Sequence, residues 1–212
     1  MNNEILQIQT ELQKRLSVPY RWHQKQNDIF DKRTNFIYRI KLFDDLLLEI
    51  EKRFKSENDY QMYFDYSLNR WFNFWSAYAV EKIFCSLPDV RPAFNHRDRL
   101  KDFSIKGINF DHKSSVYPRK FKFKINYAQQ NPAELIKWLY RNQSSEKRKH
   151  LHNRLFIIFY NSYGDHWKLK AEIFWLKELI EKYISNFDPN RLISLKLKND
   201  LITYSDIIWA IK

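Results

Sequence analysis

The segment "KDFSIKGINFDHKSS" (residues 101–115) decides how this chain is read. Residues 103–106 and 108–115 each alternate like strands, and Gly107 lies between them. The spacing therefore predicts a β-hairpin with its turn at Gly107. Side chains two apart on a strand share a face, so Asp111 and Lys113 are expected on one side and His112 on the other. Antiparallel pairing across the turn is expected to bring Asp102 within reach of Asp111.

Upstream of the hairpin the pattern is helical. Residues 2–16 place Ile5, Leu6, Ile8, Leu12 and Leu16 at helical spacing. Residues 27–55 predict a second helix. Residues 58–86 predict a third, apolar nearly all round and hence buried, whose aromatics read as core. Pro88 ends it, and the period changes to two, with a strand expected at 90–94. Downstream, "RKFKFKIN" (119–126) alternates strictly and predicts a further strand, Phe121, Phe123 and Ile125 on one face and Lys120, Lys122 and Lys124 on the other. "NPAE" then starts a helix, with Asn131 as its cap, Pro132 in its first turn and Glu134 at its positive end. "RLFIIFYN" (154–161) is a buried strand, "NSYGDHW" a turn and residues 169–186 a helix. The chain closes in strands around an Asn199-Asp200 turn.

This interleaving predicts an α/β fold: a mixed β-sheet flanked by helices, with an N-terminal helical extension. Residues 1–57 read as the helical region and 58–212 as the core, unless 1–212 is a single domain. One cysteine, Cys85, excludes a disulfide framework and a CxxC zinc site, and points to a reducing, cytoplasmic setting. The N-terminus lacks the pattern of a signal peptide, and no run of 18 apolar residues exists, so no membrane span is expected.

The net charge is +12, and it is unevenly placed. Residues 101–150 hold twelve basic and four acidic side chains, two thirds of the excess. A local positive field of this kind suits a polyanion such as nucleic acid. Lys120, Lys122 and Lys124, with Arg119, either track a phosphate backbone or guard an edge strand against aggregation. Lys147, Arg148 and Lys149 read the same way.

Two carboxylates held close together repel unless a cation lies between them. Oxygen donors suit Mg²⁺, which polarises a phosphodiester and acidifies water, and Lys113 beside it can orient that water or neutralise developing charge. Asp102, an eight-residue gap, and then Asp111-x-Lys113 resembles the PD-(D/E)xK nuclease superfamily, the fold of many restriction endonucleases. The order helix, three strands, helix, strand over residues 58–161 is similar too, and Ser114-Ser115 resembles the family's continuation after the lysine. Lys101, where the family often has proline, departs from it.

The resemblance implies a restriction-endonuclease-like enzyme that hydrolyses DNA, with RNA left open, using Mg²⁺ or Mn²⁺ in its place. Asp102 and Asp111 would bind metal with the backbone carbonyl of His112, and Lys113 would assist the water. Ser114, Ser115, Arg119, Lys120, Lys122 and Lys124 would contact nucleic acid, and a homodimer would cut both strands. Glu81, the only acid between Asp65 and Asp89, is the candidate for an added helix carboxylate; otherwise it is a surface residue. Asp89, Arg97 and Asp98 are weaker neighbours. A non-catalytic nucleic-acid-binding or interaction protein on the same fold is the rival reading.

Other motifs fail on spacing. "FDHKSSVYP" resembles the opening of ββα-metal nucleases, but no histidine follows Asn126 until His150. His150 and His152 lack further ligands at zinc spacing, and Asp165-His166 has no assignable nucleophile. Two glycines leave no phosphate-cradling loop.

Overall fold

The computed structural model describes residues 2–94, 101–142, 152–196 and 202–212. Arg97, Asp98, Lys147, Arg148, Lys149, His150 and the Asn199-Asp200 turn lie outside the described residues. Two compact units result: Met1–Val80 with Lys170–Trp175, and Glu81–Leu169 with Leu176–Lys212. The division falls inside a helix at Val80, not at residue 57.

The first unit is helical. It contains α1 (Asn2–Arg15), α2 (Asp28–Arg33), a short 3₁₀ helix (Asn35–Tyr38), α3 (Phe43–Phe54) and α4 (Tyr60–Cys85) as far as Val80. The single helix expected over 27–55 is broken. Thr34 turns its hydroxyl back onto the Phe30 carbonyl (2.7 Å) and receives a bond from buried Arg70, which ends α2. Trp71 and Trp75 of α4 are buried, and their indole N–H groups donate to the Ile40 and Ile37 carbonyls of the connecting segment. These aromatics are core.

The second unit is built on a six-stranded mixed sheet in the order β1-β2-β3-β4-β6-β5. The strands are β1 (Val90–Pro92), β2 (Phe103–Ile105), β3 (Ile108–Val116), β4 (Arg154–Tyr160), β5 (Ile193–Lys196) and β6 (Ile202–Ile211). β1, β2 and β3 pair antiparallel, β3 with β4 and β4 with β6 parallel, and β5 with β6 antiparallel. Lys106 (φ 45°) and Gly107 (φ 87°) make the β2–β3 turn in the left-handed region, the usual geometry of a two-residue hairpin loop.

The β3–β4 crossover carries α5 (Ile125–Gln130) and α6 (Pro132–Asn142). Leu135, Ile136 and Leu139 of α6 pack on Phe156 and Ile158 of β4 and Ile207 of β6. The strand expected over 119–126 does not form. Tyr117 makes the last ladder bond, to the Phe159 carbonyl, then Pro118 removes a donor and Phe121 N–H turns back onto the Pro118 carbonyl. Burial still alternates, with Phe121 buried, Phe123 half-buried and Lys120, Lys122 and Lys124 exposed, but the backbone is a turn leading into α5. Asn131 ends α5 as its C-cap. After β4 a 3₁₀ helix (His166–Ala171) leads into α7 (Ile173–Ser185). No helix among the described residues is long and apolar enough to cross a membrane.

Candidate active site

Strand pleating and register build the site inside the second unit. Asp111 and Lys113 share the α6-side face of β3, and Lys113 Nζ donates to Asp111 Oδ1 at 2.7 Å. Parallel register sets Asp111 beside Arg154, the first residue of β4. Arg154 Nε stands 3.4 Å from Asp111 Oδ2, and both side chains are largely buried. The Arg154 guanidinium also lies over the Tyr140 ring of α6, 4.9 Å from its centroid. Tyr140 is held in turn by the His152 carbonyl (2.7 Å) and the Ser205 hydroxyl (2.8 Å). Both oxygens of Asp111 thus face a cation.

Asn153 fixes the strand ends around this pair. Its carbonyl accepts from Asp111 N–H, its amide donates to the Asn109 carbonyl, and its side-chain oxygen accepts from Tyr204 N–H. One residue therefore ties β3, β4 and β6 at the level of Asp111.

Asp102 precedes β2. Phe103 is the residue paired with Phe110, yet Asp102 N–H also donates to the Phe110 carbonyl (2.8 Å). Two consecutive residues addressing one partner is the arrangement of a β-bulge, which re-aims a side chain. The Asp102 carboxylate accepts on Oδ2 from the backbone N–H of His112 (2.7 Å) and from its ring Nδ1 (3.0 Å). A carboxylate only accepts, so Nδ1 carries the proton. Burial pushes the Asp102 carboxyl up, but the bonds and charge of His112, with the charge of Lys113, outweigh it and hold the group below the usual carboxylate range. His112 is buried among the rings of Phe84 and Phe103, and its Nε2 has no hydrogen-bond partner.

Asp111 therefore lies on β3 and Asp102 in the bulge just before β2, and they keep separate partners: His112 holds Asp102, Lys113 and Arg154 hold Asp111. The charge of Lys113 acts on both. Glu81 is half-buried on α4. One turn later the Cys85 thiol is pushed up to about 11, by burial first and then by Glu81, with a further push from Asp102. Among the described residues no three His, Cys, Asp or Glu side chains form a group that could hold a metal ion, so Glu81 is not gathered with both aspartates. Comparison with protein-family models, curated proteins and solved structures finds no match to this chain.

Of the expected nucleic-acid contacts, Arg119, Lys120, Lys122 and Lys124 are exposed. The Ser114 hydroxyl is enclosed without a partner, and the Ser115 hydroxyl bonds the Val116 carbonyl. Arg154, Tyr140 and Asn153 were missed from sequence. The available signal was a charge and an amide opening the apolar run "NRLFIIFY". Asp206, on the sheet face opposite Arg154, is not part of this site: burial raises its carboxyl, and Tyr183 OH donates to it at 2.9 Å.

Proposed function

We propose that this chain is a divalent-metal-dependent nuclease with a restriction-endonuclease-like sheet, acting on DNA phosphodiesters. The observation that carries this reading is the Lys113 ammonium bonded to Asp111 on β3, with the Asp102 carboxylate bonded to the backbone N–H of His112, the residue between them. The observed order of α4, three strands, two helices and a strand supports it. The donors suit Mg²⁺ in kind, being carboxylate oxygens, and the Asp111 carboxylate already attracts a cationic group. Asp102 and Asp111 would hold the ion, which when bound polarises the scissile phosphate and acidifies water.

The chain's own residues supply the rest. The bonds from His112 keep Asp102 ionised and aimed. Arg154, buried against Tyr140, stands beside Asp111 Oδ2 and keeps a positive charge there whether or not Lys113 is bound to Asp111. Lys113, about half exposed, is the most accessible of the three. Released from Asp111, its ammonium can orient the attacking water and offset charge developing on the phosphate.

One observation favours a second reading, a nucleic-acid binder without catalysis. Both oxygens of Asp111 already meet cations, which would make Asp111, Lys113 and Arg154 a self-satisfied ion network. A Mn²⁺ titration followed by electron paramagnetic resonance separates the two. The nuclease reading expects Mn²⁺ to bind the wild type, and Asp102→Asn and Asp111→Asn each to weaken that binding more than tenfold. A wild type that leaves all Mn²⁺ free, yet binds DNA with strong salt dependence, is the binder.

A further inference from the structure

On α6, Glu134, Lys137, Trp138 and Arg141 recur at i, i+3, i+4 and i+7, which places them on one helical face. The turn leading into α5 sets Lys120, Lys122 and Phe123 against that face, leaving an open groove of about 500 Å³ between them. This lies within the range of roughly 300–1,000 Å³ for sites that take small ligands. The groove has room for a nucleotide.

Its chemistry is mixed in an informative way. Four cationic side chains, Lys120, Lys122, Lys137 and Arg141, meet one carboxylate, Glu134. Glu134 already accepts from Tyr127 OH at 3.0 Å. The aromatic part is fixed in place. Trp138 is half-buried and meets Phe121 edge-on at 6.0 Å, and Phe123 stacks on Tyr127 at 4.1 Å. Lys122 holds its ammonium over the Phe123 ring at 4.7 Å. Cations around rigid rings suit a ligand that carries both negative charge and a flat π-face. A duplex turns its base faces inward and would engage only the cations. A single strand offers both phosphate and base face.

We propose that this groove binds an unpaired nucleotide of a single strand, with Trp138 stacking the base and Lys120, Lys122, Lys137 and Arg141 neutralising the adjacent phosphates. The inference rests on the nuclease reading only in making that strand the substrate; binding itself requires no cleavage. α6 serves both places, carrying the groove on its outer face and Tyr140, against which Arg154 lies, on its inner one.

The test is fluorescence anisotropy in EDTA with labelled oligothymidylate and a blunt duplex of equal length. The wild type should bind the single strand more tightly. Trp138→Leu should lose about tenfold on the single strand, the effect of one lost base stack, and change little on the duplex. Trp138→Phe, which keeps a ring, should retain most of the affinity and separates stacking from packing. Lys137→Gln with Arg141→Gln should weaken both ligands and flatten the salt dependence, by about 1.4 in the log–log slope for the single strand. Equal affinity for strand and duplex, or single-strand binding unaltered in a folded Trp138→Leu variant, overturns the proposal. Tight binding of free AMP by itself would mark a small-nucleotide site and also overturn it. A protein that binds the strand through Trp138 but never cleaves loses the nuclease reading and keeps the groove. One that cleaves with Trp138 irrelevant to binding does the reverse.

Discussion

Replacing Asp111 tests folding as well as cleavage. Arg154 is 6% exposed, and Asp111 is the one carboxylate it meets among the described residues. Breaking a buried pair from one side costs about 3–5 kcal/mol, because a buried charge is left uncompensated. The lower end applies here, since the Nε···Oδ2 distance is 3.4 Å and the Tyr140 ring still faces the guanidinium. Asp111→Ala should therefore lose about 3 kcal/mol, which lowers Tm by about 6–12 °C for a chain of this size. Lys113→Met should cost less than about 1 kcal/mol, since it removes only a partly exposed pair. Adding Arg154→Met to Asp111→Ala should restore most of the loss, because the pair is then replaced by packing. Thermal and urea unfolding of the four proteins, followed by circular dichroism, measure all of this. An Asp111→Ala protein that melts with the wild type, or one that Arg154→Met destabilises further, would refute the buried-pair reasoning.

Two further predictions concern pH. The Asp102 carboxyl is depressed in the folded state, so its contribution is present above the unfolded pKa and is lost as pH falls through the folded one. Urea unfolding below about pH 4 should show that loss in the wild type and less of it in Asp102→Asn. Lys170, buried with its ammonium on the Asn73 side-chain oxygen (2.8 Å), is lowered by burial to about 8. Between that value and the unfolded one the unfolded chain binds more protons, so stability rises with pH. The wild type should gain about 1 kcal/mol from this residue between pH 7 and 9, a gain missing in Lys170→Met when both are unfolded in urea.

How far the sequence could be read follows from which interactions are local. The β2–β3 hairpin was legible because Gly107 marks the turn. The shared face of Asp111 and Lys113 follows from strand period alone. The β4 strand was legible from its apolar run. Arg154 beside Asp111 was not, because that neighbourhood depends on the parallel register between β3 and β4, which the crossover through α5 and α6 sets. Nor was the direction of Asp102 legible: a one-residue offset at Phe110 turns its carboxylate to His112, and simple alternation cannot encode a bulge. In residues 119–126 the alternation reported burial faithfully but not pairing, since a turn can also seat every second side chain. The break at Thr34 hung on a side chain–backbone bond supported by Arg70, which lies on another helix.

The most direct measurement is Mg²⁺-dependent nicking of supercoiled plasmid by the wild type, Asp102→Asn and Lys113→Ala, at a temperature where all three are folded. The wild type should convert plasmid to open-circle and linear forms only with the metal present, and each variant should fall at least a hundredfold below it. Equal nicking by all three, or none by a folded wild type with either Mg²⁺ or Mn²⁺, would contradict the assignment of Asp102, Asp111 and Lys113 as the hydrolytic centre.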